Sequence, residues 1–148
     1  MKKTYMVLLM ISGMLLSGCS ALEGVSNTLN YATEASEYAN EASAFAKEVP
    51  DLAKQAVNDE QAAQELETRL EEMKATIEEF NKLEAPEIGA DLHQQVVNQN
   101  NRAIEGIDLY LENIENGKLD SEVLKNTEAF KSLQEITSIV EQIKQLGN

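Results

Sequence analysis

AQELETRLEEMKATIEEF, residues 63–80, places apolar side chains at Ala63, Leu66, Leu70, Met73, Ile77 and Phe80. The steps alternate between three and four, the spacing that keeps one stripe of an α-helix facing a partner helix. Glu65, Glu67, Glu71, Glu72, Glu78 and Glu79 fill the other face. Glu71 with Lys74 and Glu78 with Lys82 add intrahelical pairs of about 0.2–0.5 kcal/mol each. A helix with one greasy stripe must bury it, so this segment fixes the fold as helix packed on helix. Asn58, three residues before Gln61, reads as a capping box that starts the helix near Asp59, and the pattern fades near Leu83.

The same period extends in both directions. Upstream, Tyr31, Ala35, Tyr38, Ala42, Phe45 and Val49 step by four and three over residues 26–48, with Ala32, Ala39 and Ala46 widening the stripe. Val49-Pro50-Asp51 is expected to interrupt this helix, because proline lacks the N–H and biases the preceding residue out of the helical region. Downstream, residues 84–89 (EAPEIG) read as a loop, and helix resumes near Ala90. His93, Val97, Asn100, Ile104, Ile107, Leu111 and Ile114 form the next stripe, with Gly117 expected as a left-handed C-terminal cap. Asp120 or Ser121 then caps a last helix, whose apolar face is Leu124, Phe130, Leu133, Ile136, Val140, Ile143 and Leu146. Four segments of similar length with short links predict an all-α fold, an antiparallel helical bundle of about four long helices. One long coiled-coil dimer is the competing architecture, and the breaks at Pro50, Pro86 and Gly117 disfavour it.

The first 19 residues follow different rules. Lys2 and Lys3 precede an apolar run over residues 5–16, too short to span a bilayer, which takes about 20 residues. Leu16-Ser17-Gly18-Cys19 follows directly: an aliphatic residue, two small ones and the chain's single cysteine. The arrangement reads as an export signal, and the tetrad resembles the lipobox of bacterial lipoproteins. That resemblance implies a diacylglycerol on the Cys19 sulfur, cleavage before Cys19, and a lipid-anchored protein on the extracytoplasmic face of the cell membrane. The expected division is a cleaved signal at 1–18, a lipidated Cys19 with a short tether through residue 25, and a helical domain over 26–148. Leu83-Glu84-Ala85-Pro86-Glu87-Ile88 followed by Leu92-His93 also resembles a loop-to-helix pattern in small exported helical lipoproteins of unknown function, implying a similar bundle and no known activity.

The chain holds 26 acidic against 12 basic residues, net −14. Loss of Lys2 and Lys3 with the signal would take this to −16. Such an excess argues against nucleic acid, whose binding depends on phosphate neutralisation by Lys and Arg. A basic envelope protein fits instead as a partner, alongside the membrane held through Cys19. One cysteine permits neither an internal disulfide nor a thiolate metal cluster. His93 is the only histidine, and position 90 is Ala, so the paired Glu-x-x-His motifs of ferritin-like bundles are missing. No metal or other cofactor is expected. Nor is there a Gly-x-Ser-x-Gly elbow, a phosphate-cradling glycine loop or a twelve-residue calcium loop, so no catalytic set is expected.

His93 and Asn100 are polar residues on an apolar stripe, and their expected roles are structural, Asn100 fixing helix pairing. Two functions from different classes follow. One is a membrane-anchored, non-enzymatic interaction or accessory module of the cell envelope. The other is a ligand-binding or sensing bundle, with a cleft between helices lined by Tyr31, Tyr38, His93 and Asn100.

Overall fold

The computed structural model describes residues 19–146, with side chains from residue 26 onward. The expected signal at 1–18, including Leu16, Ser17 and Gly18, lies outside the described residues, as does the side chain of Cys19. Four helices carry the fold: α1 (Cys19–Ala56), α2 (Glu60–Asn81), α3 (Ala90–Glu112) and α4 (Glu128–Leu146). α1 packs against α2 and α4, and α3 closes the ring by packing on the same two helices. Tyr31 early in α1 meets Phe80 late in α2, while Tyr110 late in α3 meets Phe130 early in α4. Each neighbour therefore runs antiparallel to the next, as expected for an up-down bundle.

All six seam residues of α2 are buried, from Ala63 to Phe80. The helix begins one residue later than a cap at Asn58 implies. Asp59 takes the cap position, with extended backbone and Oδ1 accepting from the Ala62 N–H at 2.9 Å. A carboxylate there satisfies an orphan amide and complements the helix dipole.

Pro50 does not end α1. The helix runs through it, and buried residues continue on the same stripe at Val49, Ala53 and Ala56. A proline inside a helix costs about 3 kcal/mol and removes the donor to the carbonyl four residues back, here Ala46. Packing on both sides of the break holds the helix together. The expected tether at 20–25 is also helical, since α1 already begins at Cys19. At 1.5 Å per residue α1 is about 57 Å long, against about 29–35 Å for the other three. Among its described side chains, the first buried one is Tyr31.

The connection from α3 to α4 departs furthest from expectation. Gly117 does not cap α3, which ends at Glu112. Asn116 and Gly117 both have positive φ, 52° and 74°, and join two short strands, β1 (Ile114–Glu115) and β2 (Lys118–Leu119). Positive φ at both central residues is the hairpin turn whose twist matches paired strands, and Asn-Gly is its strongest sequence signal. Leu119 is buried, so the hairpin is pinned to the bundle. Asp120 caps a 3₁₀ turn at Ser121–Lys125 and not α4 itself. Asn126 then accepts from the Glu128 N–H at 3.1 Å and opens α4, which is correspondingly short.

The buried face of α3 is rotated from the expected stripe. Val96, Asn100, Ala103, Gly106, Ile107 and Tyr110 are buried, while Ile104 and Leu111 are only half-buried. Small residues shift this contact. A Cβ placed on Gly106 would lie 2.7 Å from the Cβ of Ala129, so α3 and α4 meet backbone to backbone there.

Candidate functional site

Tyr31 and Tyr38 are seven residues apart on α1, and His93 and Asn100 are seven apart on α3. Both pairs therefore project from the same face of their helix, two turns apart. The fold brings all four together across the bundle diagonal. The Tyr31 hydroxyl lies 2.9 Å from His93 Nδ1. The Tyr38 hydroxyl donates to Asn100 Oδ1, and Asn100 Nδ2 donates in turn to Asn81 Oδ1 at 2.6 Å. Tyrosine suits this span because its hydroxyl extends past the bundle axis while its ring fills the core.

α2 contributes two residues that the sequence reading did not assign here. Phe80 stacks on Tyr38 with ring centroids 4.3 Å apart and lies 5.3 Å from the His93 ring. Asn81, at the last turn of α2, completes the hydrogen-bond chain. The seam spacing marks Phe80 as core, but nothing local marks Asn81, whose role depends on which helix lies opposite.

Phe80 thus packs against both tyrosines and His93. Tyr31 and Tyr38 are each 4% exposed and Asn100 is 0% exposed. The polar atoms satisfy one another, as buried polar groups must. The four residues converge as a packed polar layer rather than as walls of an open cleft. Ligand binding among them would require displacing Phe80 or breaking the Tyr38–Asn100–Asn81 chain.

The electrostatics follow from burial. Desolvation pushes the Tyr31 hydroxyl up to about 12 and raises Tyr38 further, so both stay neutral through physiological pH. Burial pushes His93 below the ordinary imidazole value. Neutral His93 with its proton on Nε2 can accept from Tyr31 at Nδ1. Because its folded pKa is depressed, the unfolded chain takes up a proton before the folded one does. Stability from this group is therefore complete above about pH 6.5 and declines as pH falls toward the lower folded value. Chemical denaturation between pH 7.5 and 5 should show that decline, and His93→Gln should flatten it. An unchanged slope in the variant would assign the pH dependence elsewhere.

A second polar contact ties helices at the surface. Lys74 on α2 meets Asp108 on α3 at 2.5 Å, and the hydrogen bond to that carboxylate raises the ammonium's pKa. Arg69 on α2 meets Glu48 on α1 at 2.7 Å. Among the described residues no three His, Cys, Asp or Glu side chains are grouped to hold a metal ion.

The description "Family of unknown function (DUF6376)" matches residues 31–146. The matched region begins at Tyr31, the first buried residue of α1 among the described side chains, and closes with α4. No curated protein matches the chain, and no solved structure does.

Proposed function

We propose that this chain, which belongs to the family of unknown function DUF6376, is a lipid-anchored extracytoplasmic protein acting as a non-enzymatic interaction or accessory module of the cell envelope. The observation that carries the reading is the ordered series at the start of the sequence: Lys2-Lys3, the apolar run at 5–16, and Leu16-Ser17-Gly18-Cys19. Charge, run length and motif agree, and Cys19 is the one thiol available for acylation.

The bundle's shape fits that role. α1 carries about 12 helical residues before Tyr31, the first core position among the described side chains, a rod of about 18 Å. Leu29 and Ile88, the large apolar side chains left exposed among the described residues, sit at the same end of the bundle, where Gly89 approaches Tyr31 and Leu146. Among the described residues no helix is long and apolar enough to cross a membrane. In this reading two acyl chains supply the attachment, at about 0.8 kcal/mol per buried CH₂. The acidic surface does not assist, because anionic headgroups repel it. It favours instead a basic protein partner, with an affinity that falls as salt shortens the Debye length to about 3 Å at 1 M.

The test is metabolic labelling of bacteria producing the full chain with a tagged fatty acid. The wild-type protein should incorporate label and sediment with membranes. Cys19→Ala should lose the label and remain uncleaved; label retained in that variant rules out the anchor. Crosslinking of intact cells then addresses the partner: a basic envelope protein captured at low salt and lost at high salt supports the module, and capture of no protein counts against it.

A further inference from the structure

A recess of about 360 Å³ lies between α1, α4 and the end of α3, away from the Tyr38–Asn100 layer. Its walls are Pro50, Tyr110, Leu124 and Phe130, and Lys54 and Lys131 stand among its lining residues. The aromatic walls are fixed. Phe130 meets Tyr110 edge-on with centroids 5.6 Å apart, and the Tyr110 hydroxyl donates to the Asn126 carbonyl at 3.0 Å. Pro50 contributes its ring as an apolar wall, beside Ala46.

The charged side chains that line this recess are opposite in sign to the chain's net charge. Three other surface grooves each carry acidic side chains: Glu41, Glu48 and Glu72 in one, Glu34, Glu84 and Glu87 in the second, Asp59 and Glu65 in the third. No carboxylate lines the recess under Pro50, although the chain as a whole is net −14. Lys54 is paired with Asp51 at 2.7 Å and Lys131 with Glu128 at 3.8 Å. Both are exposed pairs within a single helix turn, the weakest class of ion pair, so an arriving anion can take their place.

We propose that this recess binds a free medium-chain fatty acid, its alkyl chain against Pro50, Tyr110, Leu124 and Phe130 and its carboxylate between Lys54 and Lys131. An apolar pocket with a few convergent polar groups is the usual form of a small-molecule site, and its volume falls within the about 300–1,000 Å³ such sites occupy. A saturated acyl chain matches the apolar walls, Thr127 and Gln134 being the uncharged polar side chains that also line the recess, and the single negative head matches the two ammonium groups. The site is independent of the anchor at Cys19.

The experiment is photolabelling of the full chain in isolated membranes with a diazirine-bearing decanoic acid, followed by mass spectrometry of the labelled peptides. Saturable labelling is expected on the segments 46–54 and 124–134, competed by decanoate and about tenfold less by decanol, since about 1.4 kcal/mol of head-group interaction is a factor of ten. Lys54→Glu combined with Lys131→Glu lies on the exposed surface and should reduce that labelling about tenfold while circular dichroism stays unchanged. Label spread evenly along the helices, equal competition by decanol, or undiminished labelling of the double variant overturns the proposal.

Discussion

Gly106→Ala should lower the unfolding free energy by about 1–3 kcal/mol, the usual cost of overpacking. Helix propensity alone predicts the opposite, because alanine in a helix interior is favoured over glycine by about 1 kcal/mol. Packing decides the sign. The added Cβ would lie 2.7 Å from the Ala129 Cβ, 2.9 Å from its backbone nitrogen and 3.1 Å from its Cα. Two of these are backbone atoms at the first turn of α4, so no side-chain rotation clears them. Relief requires α4 to move away from α3, which loosens Phe130 against Tyr110 and Leu133 in the core behind it. Urea unfolding followed by circular dichroism measures the loss. Adding Ala129→Gly to Gly106→Ala should recover part of it, since the Cβ contact is removed and the contact with the nitrogen is not. A Gly106→Ala protein as stable as wild type would mean that the two helices are not held this close.

The same glycine shows why parts of the fold were readable in the sequence and parts were not. α2 was legible because its buried positions are large and apolar and its exposed ones are glutamates, so the stripe has sharp edges. α3 presents Ala103 and Gly106 to the core beside Asn100. A search for large apolar residues on that helix instead finds Ile104 and Leu111, about one position around from the contact. Pro50 misled for a related reason: its local preference to break the helix is real, but Val49, Ala53 and Ala56 are buried along one line and outweigh it. Asn116-Gly117 carried a legible hairpin signal. Two-residue strands have too little alternation to support it, and the glycine alone also fits a helix end. Tyr31, Tyr38, His93 and Asn100 could each be placed on a stripe from spacing. Their pairing across the diagonal, with Phe80 and Asn81 packed against them, depends on the helix order around the bundle and on where α2 stops, which no local pattern encodes.

Asn100→Leu is expected to cost about 2–5 kcal/mol, although it places an apolar residue in a fully buried position. Asn100 spends both ends of its amide, Oδ1 on the Tyr38 hydroxyl and Nδ2 on Asn81. Leucine leaves the buried Tyr38 hydroxyl without an acceptor, at about 1–3 kcal/mol for an unsatisfied group, and removes the bond to Asn81 as well. Tyr38→Phe alone should cost about 1–3 kcal/mol for the mirror-image reason, since Asn100 Oδ1 is then the orphan. The combined Tyr38→Phe and Asn100→Leu protein should be more stable than Asn100→Leu alone. Both members of the bond are then apolar, and Asn81 is half-buried and can reach water. A double-mutant cycle on unfolding free energies reads this coupling directly. Additive losses would mean that the two residues do not act as a pair. If Asn100→Leu alone raised stability, the amide would be a net cost that the bundle bears for pairing specificity, as a single buried asparagine does when it selects one helix register over its neighbours.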